Sequence, residues 1–370
     1  MNIRTVADGI LGTHVTWDEF EGFASRCALI YCDWQGDDAD ELPKRVVLKM
    51  GSCLPLVALS QVLPAERNVF KDATPELWAM TEHGIKGMHN MECDTYDFLE
   101  QFGEGHAIPK RYYACAFNEL NLVAGQICME YVEHGRMFNF HECATEEQMK
   151  QIARALGRLQ ADSTKYEVHS ESLKTKDVFG EFNRSTPKEQ YYQLFTPIKV
   201  MDASLTEEVE KVEALLDVYY GATLPSTIHK QLGLAPVLVN GDMRTENVLV
   251  DEASGELRAL IDWQCSHFGC GVEDLLHISF FAQSTDDRRA TARGLLEEMY
   301  SAFIARLGDQ PAPYSLEQLR EVCDLLFPHC AIFFATGLGV LMPANMPRPG
   351  HEDASQQRKW EIVLDKASDV

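Results

Sequence analysis

One stretch constrains this chain more than any other: residues 236–267, PVLVNGDMRTENVLVDEASGELRALIDWQCSH. Its first four residues are a short apolar run with two valines, the composition of a buried strand. Residues 248–250 form a second run of this kind and residues 257–261 a third. The turn 251–255 joins the last two as a hairpin, with Gly255 free to take a positive φ. Three polar residues stand at the ends of the apolar pieces: Asp242, Asn247 and Asp262. The pattern is Asp-x-x-x-x-Asn, followed fifteen positions later by Asp262 within Ile-Asp-Trp.

Two carboxylates and a side-chain amide in this order suit phosphoryl transfer. That reaction needs a carboxylate to meet an acceptor hydroxyl and take or orient its proton. It also needs an amide oxygen and a second carboxylate to hold Mg²⁺ against nucleotide phosphates, because positioning and neutralising charge is most of the catalysis. Asp242 is accordingly the candidate base, and Asn247 and Asp262 are the candidate metal ligands. Protein kinases use the same Asp-x4-Asn loop ahead of an Asp-Phe-Gly. The competing reading is a hairpin whose acids are turn residues without chemistry, since Asp and Asn are common in turns.

These residues, with Val239-Asn240-Gly241-Asp242 and Gly271-Val272-Glu273-Asp274-Leu275 around them, resemble the aminoglycoside phosphotransferase and choline kinase-like superfamily. Within it the chain is most similar to the CHK kinase-like (ecdysteroid kinase-like) proteins, especially their nematode branch. The resemblance covers nearly the whole chain. It implies an α+β, bilobal protein-kinase-like fold with an antiparallel-sheet N-lobe and a mainly helical C-lobe. The division implied is residues 1–133 and 134–370. One departure sits at the centre: the family usually has His-Gly-Asp where this chain has Asn240-Gly241-Asp242. That histidine packs beneath the loop and is not the base, so the change bears on rate and loop rigidity more than on reaction type. The resemblance also assigns Asp274 to supporting the loop from behind.

The N-terminal half supplies the other expected parts. Residues 15–17 and 27–31 read as strands around Glu21-Gly22-Phe23-Ala24-Ser25-Arg26, where the family has Gly-Phe-x-Ser, so Gly22 and Ser25 are candidate phosphate-loop residues. Val46-Val47-Leu48-Lys49 resembles the Val-Ala-Ile-Lys strand whose lysine reaches the α- and β-phosphates. Its partner is expected on the next helix, residues 89–99, as Glu92 within His89-Asn90-Met91-Glu92. Residues 52–81 read as an insertion with helical pieces. Residues 122–131 read as a strand ending at the lobe hinge, where the backbone of Glu130 and Val132 would meet adenine.

Further on, Thr145-Glu146-Glu147-Gln148 is a capping box ahead of apolar residues at helical spacing. Residues 163–199 read as an irregular substrate-side insertion or loop. Ser204 is expected to cap another helix, and Gly308 to stop one that starts near residue 295. Residues 343–350 read as a Pro-rich loop.

Composition sets outer bounds. At 370 residues and 45% hydrophobic, the chain has ample apolar surface to bury. A net charge of −24 argues against nucleic acid and anionic membranes as partners. Eleven cysteines are scattered without a C-x-x-C pair, which points to buried thiols in a reducing compartment. Residues 1–11 carry Arg4 and Asp8 and no apolar stretch of signal-peptide length. The longest apolar run, residues 331–342, is too short to span a bilayer. Composition thus points to a cytosolic chain, and the resemblance implies a kinase that uses ATP and Mg²⁺ on a hydroxyl of a small metabolite, either steroid-like or an amino alcohol. No Ala-Pro-Glu follows Asp262, which speaks against protein substrates. A catalytically weak or inactive kinase-like binding protein is the alternative.

Overall fold

The computed structural model describes residues 15–21, 25–35, 41–63, 65, 68, 70–219, 224–345 and 353–367. Five antiparallel strands form the N-terminal sheet in the order β1-β2-β3-β5-β4. They are β1 (Val15–Glu21), β2 (Ser25–Cys32), β3 (Arg45–Gly51), β4 (Arg111–Cys115) and β5 (Gln126–Glu130). Alternation along β2 and β3 sorts their side chains. Ala28, Ile30, Val46, Leu48 and Cys128 make a small core on one face. Cys27, Lys49 and Ile127 are aligned in register and share the other face, which looks toward the main core.

Between β3 and β4 run α1 (Leu54–Val62) and the 25-residue α2 (Pro75–Leu99). The helix carrying Glu92 thus begins fourteen residues before His89, inside the stretch expected to be an insertion. Thr74 caps it by accepting from Leu77 N–H, and Pro75 occupies the first turn, where its missing donor costs nothing. Its buried residues continue back through Met88, Ile85 and Thr81, so the apolar face is one continuous stripe. The strand expected over residues 122–131 is shorter, starting at Gln126. Asn118 and Asn121 satisfy the backbone of a tight turn. That turn pairs β5 with β4, a strand with no clear signal of its own, and leaves Leu122 and Val123 exposed.

The rest is mainly helical. After β6 (Gly135–Met137) comes α3 (Glu146–Ser163), whose capping box is formed reciprocally by Thr145 and Gln148. Met149, Ile152, Ala153, Leu156 and Leu159 are all buried, as their spacing requires. The segment expected to be irregular is instead three helices: α4 (Glu171–Thr175), α5 (Val178–Ser185) and α6 (Lys188–Met201). Leu173, Phe195, Ile198 and Met201 bury into the core, and this long-range packing outweighs the polar composition around them. Asp202, rather than Ser204, caps a short turn leading into α7 (Thr206–Tyr219), and α8 (Leu224–Gln231) follows.

The 236–267 stretch folds into β7 (Val237–Val239), β8 (Val248–Asp251) and β9 (Leu257–Leu260). β8 and β9 form the expected hairpin, with Gly255 at φ 74° and β6 on the far edge. β7 pairs elsewhere, with β10 (His267–Gly269). Then come α9 (Val272–Ala282), α10 (Thr285–Leu307), α11 (Leu316–Asn345) and α12 (Ala354–Ala367). Gly308 ends α10 at φ 67°, although that helix starts ten residues before the expected point. The apolar run 331–342 is the end of a 30-residue helix, not an isolated dozen. Its Leu316–Met342 portion is long and apolar enough to cross a membrane by length and composition. Yet Leu319, Val322, Leu326, Phe334 and Leu338 are buried within the main core, where α11 packs on α6 and α9. The same helix continues through residues 343–345, and 346–350, expected to be a Pro-rich loop, lie outside the described residues.

Candidate active site

Lys49 meets two carboxylates at once. Its Nζ lies 2.6 Å from Glu92 Oε2 and 2.6 Å from Asp262 Oδ1. The helix residues before Glu92 explain how it gets there. His89 Nε2 sits 3.1 Å from the Cys115 carbonyl, and the Asn90 amide both donates to and accepts from the Phe117 backbone, at 2.8 and 2.7 Å. These bonds fasten α2 to the end of β4, so the next helical turn delivers Glu92 onto β3. Burial alone would drive the Lys49 ammonium down, but Asp262 and Glu92 outweigh it and hold Lys49 well above the ordinary lysine range. Burial pushes the Glu92 carboxyl up, against the pull of Lys49. Ser25 begins β2 two residues before Cys27, hence on the face of Lys49, and is itself buried. Gly22 lies outside the described residues.

The loop between β7 and β8 is held from two sides. Below it, Asp274 of α9 accepts the N–H groups of Asn240 and Gly241, both at 2.9 Å. Burial pushes the Asp274 carboxyl up to about 7, even though these two donors favour its charged form. Gly241 takes φ 81°, and a Cβ there would stand 2.4 Å from the Cys265 carbonyl oxygen, so only glycine suits both demands. Beside the loop, the fully buried Asn240 accepts from Asp242 N–H at 3.1 Å and donates to the Asp262 carbonyl at 3.1 Å. A single amide therefore ties the Asp242 loop to the Asp262 backbone. Asp262 is a non-glycine residue at φ 62°, a conformation the surroundings must enforce. Trp263, buried next to it, supplies an anchor by donating to the Leu260 carbonyl at 3.3 Å.

Asn247 points back into this loop. Its Nδ2 donates to the Asp242 carbonyl at 2.7 Å and to Asp242 Oδ2 at 3.3 Å, which commits the nitrogen and leaves the amide oxygen for another partner. Burial raises the Asp242 carboxyl to about 6, with Arg244 pulling the other way. Arg244 Nε lies 3.4 Å from Asp242 Oδ1, so this guanidinium answers the loop's own carboxylate. At the β5 end, Glu130 N–H donates to the Lys110 carbonyl and the Val132 carbonyl accepts from Gly135 N–H.

A cavity of about 480 Å³ opens beside Asp242, within the size range of small-ligand sites. Gly241, Asp242 and Arg244 stand on its wall. Most of the remaining wall comes from α2, α5, α6, α9 and α11, with smaller contributions from α1, α7, α8 and the segment before α2. Nothing local in the sequence marks these helices as neighbours of Asp242. Part of the segment 163–199, expected to be an irregular substrate-side insertion or loop, lines this cavity as α5 and α6.

The antiparallel sheet, the helical remainder and this cluster define a kinase-like protein with the fold of small-molecule kinases. The choline kinase of Cryptosporidium parvum Iowa II matches it with a TM-score of 0.53 at 12% identity, covering 99% of this chain and 94% of that one. A microcompartment-associated aminopropanol kinase matches at 13% identity and a TM-score of 0.47, covering 98% and 95%. At 12% identity the likeness to the choline kinase is one of fold alone. By sequence, the chain belongs to the DUF1679 family, described as "Uncharacterized oxidoreductase dhs-27", whose profile matches residues 19–368. The uncharacterized kinase-like protein D1044.1 of Caenorhabditis elegans is 23% identical over 217 residues, which span 59% of this chain and 56% of that protein.

Proposed function

We propose that this chain is a cytosolic phosphotransferase that moves the γ-phosphoryl group of ATP to a hydroxyl of a small molecule. The observation that carries the reading is the convergence of Lys49, Glu92 and Asp262 beside the Asp242–Asn247 loop, whose Asp242 lines a ligand-sized cavity. Residues 1–133 and 134–370 act as the two lobes of one domain. Lys49, held by Glu92, positions the α- and β-phosphates, with Gly22 and Ser25 at the phosphate loop. The Glu130 carbonyl and the Val132 N–H receive adenine. Asp262 and the amide oxygen of Asn247 would hold Mg²⁺; both are hard oxygen donors, and the Asn247 nitrogen is already engaged. When bound, the cation neutralises charge on the phosphates. Asp242, ionised at neutral pH, takes the proton of the acceptor hydroxyl.

The second reading, a nucleotide- or ligand-binding protein with little catalysis, draws on Arg244. Its Nε lies 3.4 Å from one oxygen of the proposed base, an ion-pair contact that a substrate meeting this carboxylate has beside it. Asn240 does not favour that reading, because it makes the bracing bonds the loop needs.

Thermal unfolding with Mg·ATP tests the nucleotide half of the proposal. At about 100 times its Kd, a ligand adds roughly 2.7 kcal/mol to the folded state. Wild type should show a Mg²⁺-dependent rise in Tm, and Asp262→Asn should lose it. No rise in wild type removes the nucleotide from the proposal. With the rise in hand, ADP release over a panel of hydroxyl compounds finds the acceptor. Wild type that binds Mg·ATP and phosphorylates nothing favours the second reading.

A further inference from the structure

Helix α2 serves two places at once. Near its end Glu92 pairs with Lys49, and earlier in the same helix Leu77, Met80, Thr81 and Met88 stand on the wall of the cavity beside Asp242. At about 100° per residue these five side chains fall within one third of the helix circumference, along about 22 Å of its length. From His89 onward the helix is fastened: beyond the His89 and Asn90 bonds, Ser170 Oγ donates to Asp94 Oδ2 at 2.6 Å, and Phe98 packs edge-on against Phe268 with centroids 5.7 Å apart. The first half is held differently. It meets α5 at Gly87, where a Cβ would stand 3.0 Å from Val178 Cγ1, and Leu77 and Met80 are only half-buried. Between the halves, Ile85 and Met88 pack with Cys265 in a buried cluster of their own, with Leu56 and Val178 against it. Cys265 also lines the cavity and follows Asp262 by three residues. The cluster thus touches the helix that holds Glu92, the chain next to Asp262 and the cavity.

We propose that α2 couples the cavity to the nucleotide cleft. A ligand in the cavity completes the burial of Leu77 and Met80 and seats the first half of the helix, and the seated helix holds Glu92 on Lys49. Mg·ATP and the cavity ligand then each bind more tightly when the other is present, by one common factor, as linkage requires. The inference rests on the proposed kinase reading and adds how the two substrates affect each other. Stiffness carries the effect: Glu92 follows Met88 by one helical turn, so where Met88 packs decides where Glu92 stands. The Glu92–Lys49 pair is buried, and two buried charges tolerate little displacement, since their attraction is what offsets the loss of water. Leu77, Met80 and Met88 are thereby positioning residues, acting on the nucleotide through Glu92.

The test seats α2 with a reversible staple, Gly87→Cys combined with Val178→Cys. A bridged sulfur stands about 3 Å from the far Cβ, which is the spacing found there. Calorimetry with Mg·AMP-PNP should give the oxidised staple an affinity at least about fivefold higher than its reduced form, measured against wild type carried through the same oxidation. Gly87→Leu, a wedge between α2 and α5, should weaken binding by a similar factor. Cooperative thermal unfolding of the reduced staple and of Gly87→Leu shows that both fold. In wild type, Mg·AMP-PNP should slow amide exchange of residues 77–88 at least about fivefold, although the proposed nucleotide contact on this helix is Glu92. An oxidised staple that binds no better than its reduced form, a wedge that binds as wild type does, unchanged exchange in residues 77–88, or a bridge that does not form would each overturn the coupling. If none of these proteins binds Mg·AMP-PNP, the nucleotide reading fails and the coupling with it; binding with one affinity throughout defeats the coupling alone.

Discussion

Replacing Asn240 with alanine probes the join on which the site depends. The side chain is fully buried and serves both strands of the join: it accepts from Asp242 N–H and donates to the carbonyl of Asp262, each at 3.1 Å. A third contact, to the Ile261 carbonyl, is long at 3.4 Å and counts for little. Alanine leaves one donor and one acceptor without partners, at about 1–3 kcal/mol each. Part of the second cost is recovered because the Asp262 side chain is partly exposed and water can approach. The expected loss is about 2–4 kcal/mol, read as a lower urea midpoint with an unchanged slope. Asp262 also loses a brace for its φ of 62°, so nucleotide affinity should fall together with stability. Asn240→His is the informative comparison, since a neutral imidazole again carries one donor and one acceptor and should recover at least half of both losses. A loss under about 0.5 kcal/mol in Asn240→Ala, within the range of an ordinary surface substitution, with nucleotide affinity intact, would refute the reasoning.

Two further perturbations follow from the geometry. Asp242 acts as a base only when ionised, and burial holds its carboxyl at about 6, so kcat should be flat above that pH and fall about tenfold per unit below it. Arg244→Gln removes the cation that opposes burial, so this acid limb should move to higher pH; a limb that stays put or moves down sinks the assignment. Gly157→Ala should destabilise the helical lobe by more than about 1–3 kcal/mol, because the new methyl would lie 2.1 Å from the Met299 carbonyl oxygen where α3 crosses α10. Urea unfolding reads that cost, and a variant as stable as wild type would mean the two helices separate freely.

Much of the fold was legible locally. The β8–β9 hairpin, the Lys49 strand, the Thr145 capping box and the Gly308 stop are set by neighbours within a turn or two in sequence. Errors came where distant partners decide. The span of β5 depends on β4, which has no strong pattern of its own, and on the Asn118–Asn121 turn. The helices between residues 163 and 201 exist because Leu173, Phe195, Ile198 and Met201 reach the core. Asn240 read as a weakness by sequence, and its two-sided bonding became visible only with the Asp262 carbonyl beside it.

The sequence by itself determined which chemical groups are available and their order along the chain: a lysine in a strand, a glutamate on a helix, and Asp-x4-Asn followed by Asp. Only the tertiary structure decided that Lys49 touches residues 43 and 213 positions away, and that helices from distant parts of the chain wall the cavity beside Asp242. The physical reason is range. Side-chain type and hairpin chemistry act over a few residues, whereas burial, ion pairing and cavity shape depend on helices that meet only after the whole chain has packed.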